Sequence, residues 1–469
     1  MKFLKSAVGV SFASCLVVIL SIARVGNTAS AQSLTTLVSF NGSNGAAPYY
    51  GNLTSDANGD LFGTTEAGGA NGVGTVFEIA LTASGYATAP ATLVSFTGTD
   101  GAYPLSGLIT DANGNLFGTT EAGGANGYGT VFEILKSGSG YASAPTTLVS
   151  FDDNDGAFPQ SSLIIDSKGN LFGTTFLGGA AGAGTAYEIV NSGSSYASTP
   201  TTLVSFDGAD GSEPVAGLVA DSNGDLFGTT ASGGESGAGT AFEIVSTTSG
   251  YDTAPVTLVS FNGADGTNPY SGLIIDAGGN LLGTTNSGGA YGYGTVFEIV
   301  NTSGVYSSTP TTLVNFDDND GAYPVATLIA DANGNLFGTT TGSGASGNGT
   351  IFEIANSTSG YATTPTTLIS FNGADGAVPY SGLIADANGN LFGTTLVGGA
   401  SGDGTVYEVT GSGFVPPKQF VGTPGTPHCV GDSISNLAHT YGGVAHAAAS
   451  LGYATVADLQ SAVSSYCSQ

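Results

Sequence analysis

Asp331-Ala332-Asn333-Gly334-Asn335-Leu336-Phe337-Gly338-Thr339-Thr340 decides the fold, because its second half returns along the chain at a constant distance. The block Leu-Phe-Gly-Thr-Thr begins at Leu61, Leu116, Leu171, Leu226, Leu281, Leu336 and Leu391, 55 residues apart each time, with Leu-Leu-Gly-Thr-Thr at Leu281. A fixed period marks a repeat architecture, in which each copy buries its apolar face only against its neighbours.

Working outward from Leu336, four strands are predicted per copy. The first covers Val325 to Ala330 and ends at Asp331. Asn333-Gly334 then turns the chain into Asn335 to Thr340. Asn-Gly between two apolar runs is a strong hairpin signal, since a type I′ turn needs positive φ at both central positions. A Gly-rich loop leads to the third strand, Thr350 to Ile354. A Ser/Gly/Tyr/Pro loop leads to the fourth, Thr366 to Phe371. Four antiparallel strands per repeat make the blade of a β-propeller.

The chain ends argue for closure. Thr35 to Phe40 is a fourth-type strand standing alone, while the last copy, Ser381 to Thr410, holds only the first three types. Pairing the two completes seven blades and removes both open sheet edges. An open β-solenoid is the rival, but it needs caps and has no use for complementary ends. The expected fold is therefore all-β: a seven-bladed β-propeller of four-stranded antiparallel blades over residues 32–410.

The recurring pattern Gly-x-x-Pro…Gly-Leu-Ile-x-Asp-x-x-Gly-Asn-Leu-Phe-Gly-Thr-Thr…Gly-Gly…Gly-Thr-Val-Phe-Glu-Ile, over about residues 35 to 410, resembles the bacterial tandem-repeat family called GloVer. Its strand–Asp-x-x-Gly-Asn–strand core is also similar to NHL-type propeller repeats. The resemblance implies an exported, often surface-associated protein with a variable C-terminal anchor, and it implies no activity. This chain departs from that pattern in showing no recognisable sorting or anchor signal at its end.

Lys2 and Lys5, an apolar stretch from about Ala7 to Ala23, and Ala29-Ser30-Ala31 make residues 1–31 a secretory signal peptide. The alternatives are an uncleaved anchor, against which Arg24 and the Ala-x-Ala site argue, and a lipoprotein at Cys15, against which the continuing apolar run argues. Cleavage leaves three lysines (Lys136, Lys168, Lys418), no arginine and 35 acids, a formal charge of −32. Such a surface repels phosphate backbones and anionic lipid, so no nucleic acid and no membrane insertion after cleavage are expected. Seventy-seven glycines in 469 residues, against a usual share near 7%, suit short strands and many turns.

Residues 411–427 are Pro/Gly-rich and read as a linker. Residues 428–469 read as a small helical domain, with a capping box at Thr455 and Asp458. Cys429 and Cys467 bracket it, and in an exported chain they are expected to form a disulfide that staples so small a piece. A zinc site using these cysteines with His428, His439 and His446 is the alternative, although the spacing matches no common finger.

Residues 32–410 contain no His and no Cys. That removes His-assisted nucleophiles and imidazole or thiolate metal sites from the ring. Three sets of acids recur instead. Asp56 and its equivalents in the first hairpin turn bond their own turn. Glu78 and its equivalents in the third strand need structural partners. The third set, Asp100, Asp155, Asp210, Asp265, Asp320 and Asp375, with Asn44 in the first copy, lies between one blade's fourth strand and the next blade's first. Strand alternation puts these loops on the face that carries the Gly-rich loops, near Tyr103, Phe158, Tyr270, Tyr323 and Tyr380. That face is the expected ligand face. The alternative reading is that Asp-Gly simply builds the turn.

Two of these loops, with Asp152, Asn154 and Asp155 and with Asp317, Asn319 and Asp320, begin like an EF-hand and are candidate calcium sites. Both lack the distant Glu. The expected function is an exported, non-enzymatic binding or scaffold module that takes a glycan, a cell-surface component or a protein outside the cell. The alternative is a carboxylate-dependent glycosidase or polysaccharide lyase in the central opening, with Glu213 and Glu235 as first suspects.

Overall fold

The computed structural model describes residues 32–416, apart from residue 139, together with residues 460 and 463. Seven four-stranded antiparallel sheets follow one another as the blades of a propeller. Blade 2 is typical, running outward from Ile109–Thr110 through Leu116–Thr120 and Thr130–Ile134 to Thr146–Ser150. The seventh blade takes its outer strand from the other end of the chain: Ser33–Ser39 pairs with Thr405–Thr410, from Ser33 opposite Thr410 to Ser39 opposite Thr405. The ring is closed as the chain ends require.

The repeated Gly-Thr-Thr has a separate physical reason for each residue. A Cβ on Gly63 would lie 2.5 Å from the Phe77 ring, so only glycine lets the aromatic of the third strand cross the second. The first threonine ties one blade to the next. Thr64 donates to the Ser106 carbonyl at 2.7 Å and Thr229 to that of Ser271 at 2.8 Å. The second threonine ties strands within a blade, as in the 2.8 Å contact between the Thr65 and Thr75 hydroxyls. Each blade junction then holds one apolar cluster. At the closing junction Phe392 and Val406 meet Val38, Phe40, Leu53, Leu61 and Phe77. Fully burying such side chains stabilises by about 1.5–3 kcal/mol each.

The innermost strand is shorter than the six residues expected from the pattern: in blade 6 it is Ile329–Ala330. The segment before it runs along the axis, where a side chain takes over the ladder. In blade 7 the Ser381 hydroxyl accepts from the Thr394 N–H at 3.0 Å and donates to the Thr394 carbonyl at 3.3 Å. The third-to-outer connections are also more ordered than loops, as with Leu81–Thr82 paired to Gly85–Tyr86. Their tyrosines lie on the preceding blade, edge-on to its second-strand phenylalanine: Tyr86 on Phe392, Tyr141 on Phe62, Tyr196 on Phe117.

Blade 7 has no such hairpin, and residues 411–416 take its place. Phe414 lies edge-on to Phe337 at 5.1 Å and is buried. The Ala332 N–H donates to the Val415 carbonyl at 2.8 Å, and the Ser412 hydroxyl to the Gly389 carbonyl at 2.9 Å. This stretch was expected to open a linker; it is a strap across blades 6 and 7. The expected signal peptide, the remainder of the linker, the helical piece apart from residues 460 and 463, the Cys429–Cys467 pair and the three histidines lie outside the described residues. No helix among the described residues is long and apolar enough to cross a membrane.

Candidate functional site

One end of the ring, here the upper face, carries the loops between blades and the loops between second and third strands. Seven equivalent non-glycine residues there adopt positive φ just before a proline: Ala47, Tyr103, Phe158, Glu213, Asn268, Tyr323 and Val378, at 53–61°. Such backbone costs roughly 1–3 kcal/mol per residue and persists only where the surroundings over-determine it. Both polar backbone groups are held. The Tyr103 N–H donates to Val73 and its carbonyl accepts from Glu121, and the same pair of bonds recurs at Glu213 with Ala183 and Ala231. A uniform backbone therefore presents changing side chains, and the partner position changes too: Glu66, Glu121, Phe176, Ala231, Asn286, Thr341, Leu396.

Inside this rim the blades meet at the axis through Asn52, Gly107, Ser162, Gly217, Gly272, Thr327 and Gly382, one from each. Three glycines donate their N–H to the neighbouring side chain: Gly382 to Asn52 at 2.6 Å, Gly107 to Ser162 at 3.1 Å and Gly272 to Thr327 at 3.0 Å. Glycine is needed here because the blades touch; a Cβ on Gly107 would sit 2.7 Å from the Asn52 carbonyl oxygen. A cavity of about 150 Å3 lies at this level, lined by residues of six blades.

Its polar groups include Tyr50, Gln160, Tyr270 and Tyr380, and its apolar wall includes Leu163, Leu218, Leu273 and Val325. Blade 1 makes the site unequal. Pro48 to Leu53 is one residue longer than Pro104 to Leu108 and the other copies, and the extra length accommodates two consecutive tyrosines. Tyr49 stacks on Tyr380 at 4.6 Å, and Tyr50 stands edge-on to both, at 4.4 Å and 5.4 Å. Burial, then the neighbouring Tyr380, pushes the Tyr49 phenol up to about 12, and burial raises Tyr50 and Tyr270 as well. All three are neutral donors at physiological pH.

Three carboxylates adjoin this group. Glu66 acts on Tyr49 and Glu213 on Tyr270. Glu121 accepts from the Gln160 side-chain amide at 2.9 Å. Burial raises both Glu66 and Glu121 above the usual carboxylate range, and Glu121 adds to the rise at Glu66. Glu213 also accepts from the Ser232 hydroxyl at 2.8 Å.

The residues singled out from sequence divide accordingly. Tyr270 and Tyr380 line the cavity, and Tyr103 and Tyr323 stand on the rim, 39% and 40% exposed. Asp100, Asp155, Asp210, Asp265, Asp320 and Asp375 each close their own loop, accepting from the N–H three residues back at 2.8–3.1 Å. In the two Asp-rich loops, Asp152 and Asp317 likewise accept from the N–H groups of Asn154 and Asn319 at 3.0 Å. Among the described residues no group of three or more His, Cys, Asp or Glu side chains is placed to hold a metal ion. Glu235 is exposed and bonds through its N–H to Ser260, away from the cavity. Tyr49, Tyr50, Glu66, Glu121 and Gln160 were missed. Their signal was a comparison of copies column by column, which shows where one copy is longer or carries an acid that the others lack.

The chain aligns with several solved structures at low identity. A candidate 6-phosphogluconolactonase from Bacteroides uniformis aligns with a TM-score of 0.45 at 12% identity, over 68% of this chain and 86% of that one. A second, from Bacteroides fragilis, gives 0.43 at 15%, over 68% and 85%. A candidate gluconolactonase gives 0.40 at 9%, over 81% and 92%. No curated protein matches the chain. The family model for the Gloeobacter/Verrucomicrobia repeat matches residues 25–199 and again 193–407. With nearly the whole propeller covered, the chain belongs to the Gloeobacter/Verrucomicrobia repeat family.

Proposed function

We propose that the protein is an exported, non-enzymatic binding module that takes a glycan at the axial mouth of its upper face. The observation that carries this reading is the unequal tyrosine group, Tyr49, Tyr50 and Tyr380, at the centre of an otherwise repetitive ring. Aromatic faces beside a few convergent polar groups are what a sugar needs: a flat apolar surface for its C–H faces and hydrogen-bonding groups at the edge. The rim supports the same reading, since a rigid loop set with interchangeable side chains suits recognition.

A glycan array probed with the mature chain tests this. Tyr380→Ala is expected to abolish the signal and Glu235→Ala to leave it unchanged. Absence of any glycan signal, or an undiminished signal with Tyr380→Ala, overturns the reading.

A second reading is favoured by Glu66 and Glu121, two neighbouring carboxyls raised by burial. A raised carboxyl is what a glycosidase uses as general acid. A polysaccharide-degradation panel decides: turnover lost in Glu66→Gln or Glu121→Gln would make the protein an enzyme.

A further inference from the structure

We infer that the glycan taken at the axial mouth carries free ammonium groups, as a chain of deacetylated amino sugars does. The inference rests on the glycan-binding reading and names its chemical class.

Charge at the mouth stands without compensation. Glu66 bonds through its N–H to the Ala47 carbonyl, two residues before Tyr49; the Glu121 carboxylate accepts from the Gln160 amide of the cavity wall; and Glu213 stands on the rim two residues before Val215 of that wall. The basic side chains among the described residues are Lys136 and Lys168, and both belong to the opposite end of the blades. The Lys136 Nζ lies 3.3 Å from Asp56 in a first-hairpin turn. Lys168 belongs to such a turn itself, with its N–H donating to Asp166. Among the described residues the mouth therefore offers carboxylates with no cation beside them. It repels uronic, sulfated or phosphorylated sugars and draws positive charge.

The polar partners point the same way. A neutral sugar is read by many hydroxyl-directed hydrogen bonds. At the axis the Asn52, Ser162 and Thr327 side chains already hold the N–H groups of Gly382, Gly107 and Gly272. Leu163, Leu218, Leu273 and Val325 form the apolar part of the cavity wall, beside Gln160, Ser161 and the already engaged Asn52, Ser162 and Thr327. The phenols and carboxylates are left, and although Gln160 and Ser232 each occupy one oxygen of Glu121 and Glu213, the remaining lone pairs suit an ammonium, which only donates.

The aromatic surface does so too. Tyr49 and Tyr380 lie nearly parallel, with 24° between their planes, and Tyr50 stands across them. The negative face of an aromatic ring attracts a cation within about 6 Å of its centre, and desolvation strengthens the contact. A β-linked glucosamine unit satisfies both demands: an apolar C–H face for the ring and an ammonium for a carboxylate.

The experiment is isothermal titration of the mature chain with three tetramers of like linkage: β-1,4-glucosamine, its N-acetylated counterpart and the glucose tetramer. The buffer is made only as acidic as charging the amines requires, because Glu66 and Glu121, raised by burial, must stay ionised. The glucosamine tetramer is expected to bind tighter than either neutral one by at least about tenfold. Glu66→Gln with Glu121→Gln is expected to remove that preference, with Tm and circular dichroism unchanged. Tyr380→Ala weakens all three ligands. Equal affinity for the three, or a preference that survives the double glutamine variant, overturns the ammonium inference and leaves the glycan reading standing. Binding to none of them overturns this inference, and the array decides the broader reading separately.

Discussion

A phenol buried without a partner is costlier than a bare ring, and Tyr187 and Tyr407 are both in that position. Each is fully buried, each hydroxyl lacks a hydrogen-bond partner among the described residues, and the equivalent residue in blades 1, 2, 4, 5 and 6 is phenylalanine. An orphaned buried polar group costs about 1–3 kcal/mol. Tyr187→Phe and Tyr407→Phe should therefore each hold or raise stability, by up to about that amount, in urea unfolding followed by circular dichroism. A loss above about 1 kcal/mol would show that the hydroxyls have unseen partners. The third-strand glutamates give a pH prediction. Burial, and then the turn aspartates beside them, raises Glu78, Glu133, Glu188, Glu243, Glu298, Glu353 and Glu408 above the ordinary 4.5. A carboxyl raised on folding binds more protons in the native state, so stability falls as pH rises through the raised value and grows as pH drops toward 4.5. Asp207 and Asp317, lowered by backbone N–H groups, act in the opposite sense but are fewer. Tm should thus be higher in mild acid than at neutrality, and a scan showing the reverse would contradict the burial of the glutamate ring.

Strands explain why so much of this molecule was legible and where legibility stopped. Asn-Gly turns, Gly-Thr-Thr and the Phe-Glu-Ile strand repeat because each solves a local steric or hydrogen-bonding problem, so a period in the sequence is a period in space. The site was less legible because it is made by departures from that period. Tyr49 and Tyr50 come from one added residue, and Glu66 and Glu121 stand where Phe176 and Leu396 serve elsewhere. The recurrent aspartates drew the eye, yet their oxygens close their own turns. The strap was misjudged because Pro and Gly at 411–416 look like a linker until Phe414 is seen doing the work of a hairpin tyrosine. Phe414→Ala should cost about 3 kcal/mol, as for other buried aromatics, and a loss near zero in chemical unfolding would mean the strap is not docked. Removing residues 33–39 should be more damaging, because it bares the Thr405–Thr410 edge and opens the Val38 and Phe40 cluster. Aggregation in light scattering is the expected result, and a monodisperse, cooperatively melting product would refute closure by this strand.

A closed ring has no preferred beginning. The propeller opens with the outer strand of blade 7 and closes on its third strand, but any blade offers the same break. A circular permutant opened within the 190–200 connection of blade 3, with its former ends joined by a copy of the chain's own 135–145 hairpin, should fold to the same circular dichroism spectrum. Its Tm should stay within about 2–4 °C, the shift that about 1 kcal/mol produces in a domain of a few hundred residues. Failure of such a permutant to fold would mean that the natural break is needed for folding.

The contacts at the axis have an arithmetic of their own. Around the centre a glycine N–H answers a polar side chain three times, and seven is odd, so strict alternation has to fail once. It fails between Gly217 and Gly272, where two residues without side chains face each other. That parity defect marks one direction across the hub and leaves the rotor without true rotational equivalence, however alike its sectors look from outside. Filling it by Gly272→Ser would bring a Cβ to 2.9 Å from the Thr327 hydroxyl, so even the place where the hub looks emptiest has no room to spare.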